Sequence, residues 1–145
     1  MKFLTKTLIA GLIMVGGIAF AQSKATDPDV HARQTLMDTN GAAAGVLGGM
    51  ASGKTAFDAT AAAAAKAQLI ANAADIPVKF KPQATDPESH AKAEIWTSWD
   101  DFAAKAADLG KAAEALDVTS LDGVKAGMGA IGGACKACHT TYKAS

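Results

Sequence analysis

Apolar residues in the C-terminal half of the chain recur at intervals of three and four. Ile95, Trp99, Phe102, Ala106, Leu109, Ala113 and Leu116 follow a four-three spacing, and Leu121, Val124, Met128, Ile131, Cys135, Cys138 and Tyr142 follow the complementary three-four spacing. Seams of this period place one apolar stripe on each of two helices that cross at a shallow angle, as in an antiparallel bundle. Caps and breakers place four helices in all. The first opens at Thr26-Asp27-Pro28, a capping side chain followed by proline in the first turn, and runs to about Gly48 or Met50. The second spans Asp58 to Ala74 and is expected to stop before Pro77. After a loop holding Pro77, Pro82 and Pro87, the third starts between Asp86 and Ala91 and ends near Leu116; the fourth begins near Ser120. The alanine run from Ala61 to Ala65 reads as helix surface and close-packing interface, because alanine is the best helix former.

The N-terminal segment has a different pattern. Lys2 and Lys6 precede an apolar stretch from Leu8 to Phe20 that ends in the small-x-small run Ala19-Phe20-Ala21. The stretch is shorter than a bilayer crossing needs, so residues 1–21 are expected to be a cleaved secretory signal rather than a membrane anchor, with 22–145 as the mature domain. Cleavage removes two of the 14 lysines and arginines and none of the 14 acidic residues, which leaves the mature chain slightly acidic. That balance argues against a nucleic-acid partner, which calls for a basic patch. One domain of this length buries a proper core.

Chemistry is concentrated in Cys135-Lys136-Ala137-Cys138-His139, which holds both cysteines of the chain and has six residues after it. C-x-x-C-H is the pattern of c-type haem attachment, with two thioethers to the porphyrin edge and the adjacent imidazole as an iron ligand. A thioredoxin-like dithiol wants a βαβ context that these helical surroundings lack. A zinc site would have to recruit His31 or His90 from unpatterned positions. Both cysteines fall on the inward seam, so the haem edge is expected against the bundle interior. Covalent haem attachment takes place outside the bacterial cytoplasm, which makes the periplasm the expected compartment.

A four-helix bundle with C-x-x-C-H on its last helix resembles the class II c-type cytochromes, cytochrome c-prime and its low-spin relatives. The residues that carry the resemblance are Ala32-Arg33-Gln34-Thr35-Leu36-Met37 on the first helix, Glu94-Ile95-Trp96 on the third, and Gly132 to Lys143 on the fourth. The resemblance implies an all-α, antiparallel up-down four-helix bundle with one covalently attached haem c. It implies His139 as the proximal iron ligand and places Met37 over the opposite face. Leu36-Met37 followed by Asn40-Gly41 looks like the low-spin members, in which the methionine sulfur binds and the protein carries single electrons to and from redox partner proteins. A thioether is a soft ligand that favours reduced iron. Other members keep the iron five-coordinate and bind nitric oxide or carbon monoxide, which is the alternative function.

The resemblance also assigns Arg33 and Gln34 to the neighbourhood of a haem propionate and Lys143 to the surroundings of the proximal imidazole. For each of the three a solvated helix position is the other reading, and the sequence leaves both open. Phe80 resembles a residue that walls the distal pocket. Met128 precedes His139 by eleven residues on one helix, about 16 Å at ~1.5 Å per residue, and should pack rather than ligate. His31 and His90 lie near expected helix starts and read as exposed. Gly123, Gly127, Gly129, Gly132 and Gly133 on the final helix read as points of close approach by haem or a neighbouring helix. No nucleophile with a placed base, glycine-rich phosphate loop or carboxylate pair suggests an enzyme. Relatives are often homodimers built through the first two helices, and the alanine and glycine content of helix one permits such packing.

Overall fold

The computed structural model describes residues 25–145; the expected signal lies outside the described residues. Five helices are present among them: α1 (Pro28–Ala51), α2 (Ala59–Phe80), the single turn α3 (Glu94–Thr97), α4 (Trp99–Ala115) and α5 (Leu121–Tyr142). The four long helices close into a ring, α1 on α2, α2 on α4, α4 on α5 and α5 back on α1, which is the four-helix bundle the seams imply. No described helix is long and apolar enough to cross a membrane.

Helix starts follow the capping chemistry of the sequence. Asp27 Oδ1 accepts from the amides of Asp29 and Val30 at 2.9 and 3.0 Å, Asp58 Oδ1 from Ala61 at 2.9 Å, and Ser120 Oγ from Gly123 at 3.0 Å. Two ends are closed by cations from a neighbouring helix. Lys66 of α2 donates to the carbonyls of Glu114 and Leu116 after α4, each at 2.8 Å, and Arg33 of α1 does the same for α2, as described below.

Leu47, Leu69, Ile95, Leu116, Ile131, Val30 and Val124 are fully buried, each contributing about 1.5–3 kcal/mol of hydrophobic stabilisation. Ala62 and Ala65 face inward and Ala63 and Ala64 outward, so the alanine run is part interface and part surface. Of the seven α5 seam residues, Val124, Ile131 and Tyr142 are buried and the other four are half-buried against the core.

Two elements differ from expectation. Helix α2 runs through Pro77 to Phe80. A proline inside a helix costs about 3 kcal/mol, but Ile76 before it and Phe80 beyond it are buried, and side chains of other helices hold the carbonyls that follow. The third expected helix is split at Ser98 (φ −124°, ψ 45°), and residues 86–91 form loop rather than its first turn. Beyond the break the Tyr142 hydroxyl donates to Asp101 Oδ2 in the first turn of α4, with its oxygen 3.4 Å from the Ser98 carbonyl. The α5 glycines also divide. A Cβ on Gly123 would meet the Asp117 side chain and one on Gly127 would collide with Leu116, whereas at Gly129, Gly132 and Gly133 nothing among the described residues outside the local α5 backbone lies within 4 Å. The connection between α4 and α5 therefore explains only the first two.

The loop from Lys81 to Ala93 is tied to the rest of the bundle at several points. Asp86 Oδ1 accepts from Glu88 N at 2.8 Å, and its Oδ2 accepts from Thr26 N, Thr26 Oγ1 and Asp27 N at 2.9, 3.1 and 3.1 Å. At its far end Ala91 pairs antiparallel with Lys143, with Lys92 N donating to Tyr142 O (3.0 Å) and Ala144 N to His90 O (2.8 Å). The amides of Glu88 and Asp27, then those of Thr26, hold the Asp86 carboxyl down at about 2, against an ordinary 3.8. A folded pKa below the unfolded one gives stability that is complete above the unfolded value and lost as pH falls through the folded one. Acidification from about pH 4 to 2 is therefore expected to free Thr26 and Asp27 from the loop. Amide chemical shifts of those two residues, followed against pH, check this; in Asp86→Ala the acid step should vanish, and its persistence would assign the step to another carboxylate.

Candidate functional site

A cavity of about 450 Å³ opens between α1, α5 and the 81–93 loop. From α1 come Val30, Arg33, Gln34, Met37 and Asp38; from α5, Cys138, His139 and Tyr142, with Lys143 just after it; Phe80 ends α2 at its edge, and Glu88 to Ala91 form the loop side. The volume is in the range of small-molecule and cofactor pockets, and the lining is mainly apolar with a few polar groups, as such pockets are. Met37, Arg33 and Gln34, assigned from helix one, thus meet Cys138, His139 and Lys143, assigned from the last helix. Cys135 lies one turn before Cys138 on the same face, half-buried against the core.

Both thiols are free, and burial pushes their pKa values up; at Cys138 the Lys105 charge opposes this. Partial burial, and then the Lys143 ammonium, lower the His139 pKa, which favours the neutral imidazole that a metal requires. Among the described residues, no three His, Cys, Asp or Glu side chains converge as a metal cage, so the thiols have no zinc partner set.

Behind the cysteines, Tyr142 donates to Asp101 Oδ2 at 2.6 Å and meets Phe102 edge-on at 5.3 Å. The hydrogen bond to the Asp101 carboxylate raises the phenol to about 12, so it stays protonated. Phe102 in turn packs on Phe80 (5.2 Å) and Trp99 (5.7 Å), a chain of rings that joins α5 to the cavity wall.

The remaining assigned side chains are more committed to the protein than the sequence indicates. The Arg33 guanidinium, buried to 3% exposure, donates to the carbonyls of Lys79 (3.3 Å), Ala84 (3.1 Å) and Pro82. Gln34 Nε2 donates to Glu88 O at 2.8 Å, while its Oε1 is buried without a donor. An orphaned polar atom on a cavity-lining residue is the mark of a site that expects an occupant or an ordered water. His90 lines the cavity from the loop; His31 is exposed and outside it. Met50 is buried and Met128 half-buried against the core, and neither reaches the cavity.

A bundle that brings a C-x-x-C-H helix and a methionine on another helix to one apolar cavity is that of a covalent c-type haem protein. Comparison with known proteins agrees. The cytochrome C' family profile matches residues 29–143, and the chain belongs to that family. It is 33% identical over 146 residues to cytochrome c-556 of Agrobacterium fabrum, covering 99% of this chain and 95% of that protein. The structure of oxidized R. palustris cytochrome c556 superposes with a TM-score of 0.74 at 31% identity, over 81% of this chain and 97% of that one. Cytochrome c' from Rubrivivax gelatinosus gives 0.71 at 28% identity, over 84% and 99%. Its cofactor is haem c, covalently attached.

Sequence reasoning missed the Asp101 partner of Tyr142, the Asp86 anchor and the Ala91–Lys143 pairing. The Asp86-Pro87 dipeptide was a weak turn signal for the second of these.

Proposed function

We propose that Cys135 and Cys138 carry the haem thioethers, that His139 and Met37 are the axial ligands, and that the protein is a low-spin one-electron carrier of the periplasm. The observation that carries this reading is that Met37 and His139, from α1 and α5, line one apolar cavity beside Cys138. When bound, the haem supplies a one-electron iron couple. The chain holds and insulates it. His139 is positioned on the last turn of α5, where its carbonyl accepts from Lys143 N at 3.1 Å. Met37 offers a soft sulfur that favours the reduced state and raises the potential. Val30, Phe80, Phe102 and Tyr142 keep water from the ring faces, and a protonated Tyr142 held by Asp101 exchanges no proton with the site.

Redox proteins are its partners in this reading, and no substrate chemistry is assigned to it. The signal-like N-terminus supports export. Among the described residues, Val46 of α1 (42% exposed) and Val78 of α2 (63%) are the exposed large apolar side chains; a homodimer through those two helices belongs to the same reading on the resemblance to the family.

An optical spectrum of the holoprotein, ferric, reduced, and reduced under carbon monoxide, tests the ligand set. Sharp, split ferrous bands barely altered by the gas are expected. Broad high-spin bands that shift strongly would overturn Met37 ligation and leave a five-coordinate, gas-binding cytochrome.

A further inference from the structure

Arg33 sits at the junction of three elements. It lies on the buried face of α1, and its Nε, Nη1 and Nη2 each donate to a carbonyl at or just beyond the end of α2, those of Lys79, Ala84 and Pro82. Its guanidinium lies 5.4 Å from the Phe80 ring centroid and 5.2 Å from that of Trp96. Trp96 adds a fourth tie, donating Nε1–H to the Phe80 carbonyl at 2.7 Å. The terminal carbonyls of α2 are therefore gathered by one fork and one indole. A helix C-terminus carries partial negative charge and unpaired acceptors, and a planar cation with several donors satisfies both.

The gathered residues form one wall of the site. Phe80 faces the cavity, and the loop that leaves it supplies Glu88 to Ala91 to the side between α1, where Gln34 holds Glu88, and the end of α5, where Ala91 pairs with Lys143. Among the described residues the loop is further anchored by Asp86 at the α1 N-terminus, by the pairing with the tail, and by Ala91 against the core.

We propose that Arg33 is a positioning residue: by clamping the end of α2 and the start of the 81–93 loop, it holds Phe80 and the loop as a fixed wall of the cavity that would hold the haem and so limits the entry of small exogenous ligands to the iron. Three of its five donors serve the protein, and two remain for any other acceptor in the cavity. The clamp rests on haem occupying the cavity and does not depend on whether Met37 is bonded to the iron.

The test is amide hydrogen exchange of reduced holoprotein, read over residues 79–91 relative to α1, together with the rate of carbon monoxide binding measured in a Met37→Leu background, where no thioether competes for the iron. In Arg33→Gln, protection of that segment should fall about tenfold or more while α1 is unaffected, as for a local opening, and carbon monoxide should bind several-fold faster. Arg33→Lys keeps the charge but not the fork and should recover only part of the protection. Wild-type exchange in both variants, with a changed pH dependence of the midpoint potential, would overturn the clamp and assign Arg33 to a haem carboxylate instead. Trp96→Phe removes the tie to the Phe80 carbonyl and replaces the indole face beside Arg33 with a smaller ring, and should loosen the same segment to a smaller degree. If Arg33→Gln yields no folded haem protein, this variant decides: exchange indistinguishable from wild type would sink the proposal. Failure of the Met37 reading shows separately, in the optical bands, and leaves the exchange result intact.

Discussion

Met37→Ala is expected to turn the reduced protein from a sharp-banded, gas-indifferent form into a high-spin one that binds carbon monoxide at least about tenfold more tightly, or about 1.4 kcal/mol. Met37 follows the buried Leu36 on a helix fixed by Val30, Arg33, Asn40, Ala43, Leu47 and Met50, so its thioether reaches the cavity from a rigid support. Removing it deletes the soft donor and opens space on that side of the ring in one step. Loss of the thioether should also lower the midpoint potential, because sulfur ligation stabilises the reduced state. The side chain is half-buried, so truncation should cost only about 1–2 kcal/mol of stability, less than a fully buried methionine. Met37→Leu separates ligation from packing. It should give the same high-spin spectrum with a thermal midpoint near wild type, since volume is nearly conserved. Unchanged ferrous bands in both variants would show that the sulfur does not bind the iron.

What was legible in the sequence was the part of the fold set by periodicity and by local chemistry. The four-three seam of Phe102, Ala106, Leu109 and Ala113 became the buried face of α4, and Asp27, Asp58 and Ser120 became caps, because both signals are read within a few residues of one helix. Pro77 misled for the same reason. The penalty of a proline is local, whereas what offsets it, the burial of Phe80 and the donors from Arg33 and Trp96, comes from elements 46 and 16 residues away. The break at Ser98 is likewise out of local view, since Asp101 in the turn that follows it is held by Tyr142 from another helix.

The site divides along the same line. Cys135, Cys138 and His139 are adjacent in the chain and their chemistry is a motif; Met37, Arg33 and Gln34 were assigned only through resemblance to a family. That Arg33 is engaged with backbone carbonyls, and that Gln34 holds Glu88, follows from where the loop passes, and no spacing in the sequence encodes that path. Side-chain donors to carbonyls leave no compositional trace, because every residue offers a carbonyl.

Replacing both Cys135 and Cys138 by alanine is expected to abolish covalent haem, read by haem staining on a denaturing gel, and to unfold α5 selectively. Its five glycines each cost about 0.8–1.0 kcal/mol relative to alanine, a larger propensity deficit than any other helix of the bundle carries. Against that, α5 buries only Val124, Ile131 and Tyr142, while α2 buries seven residues with fewer breakers. Gly129, Gly132 and Gly133 meet nothing among the described residues that would reward the absence of a side chain. The helix is therefore held by its two ends, Ser120 with Asp117 at the start and Tyr142 with Asp101 and the Ala91–Lys143 pairing at the finish, and by whatever is bonded to its cysteines between. A ligand that binds only the folded state adds its binding free energy to stability, and a covalent one does not dissociate. Without it, amide exchange along residues 124–139 should approach that of an opened segment while α1, α2 and α4 stay protected, and helical content by circular dichroism should fall by roughly the share of α5. Haem stain in the double variant would place the attachment elsewhere. Protection of α5 equal to that of α2 would mean that the side-chain seam alone holds the helix, and that the glycines cost less than their propensities imply.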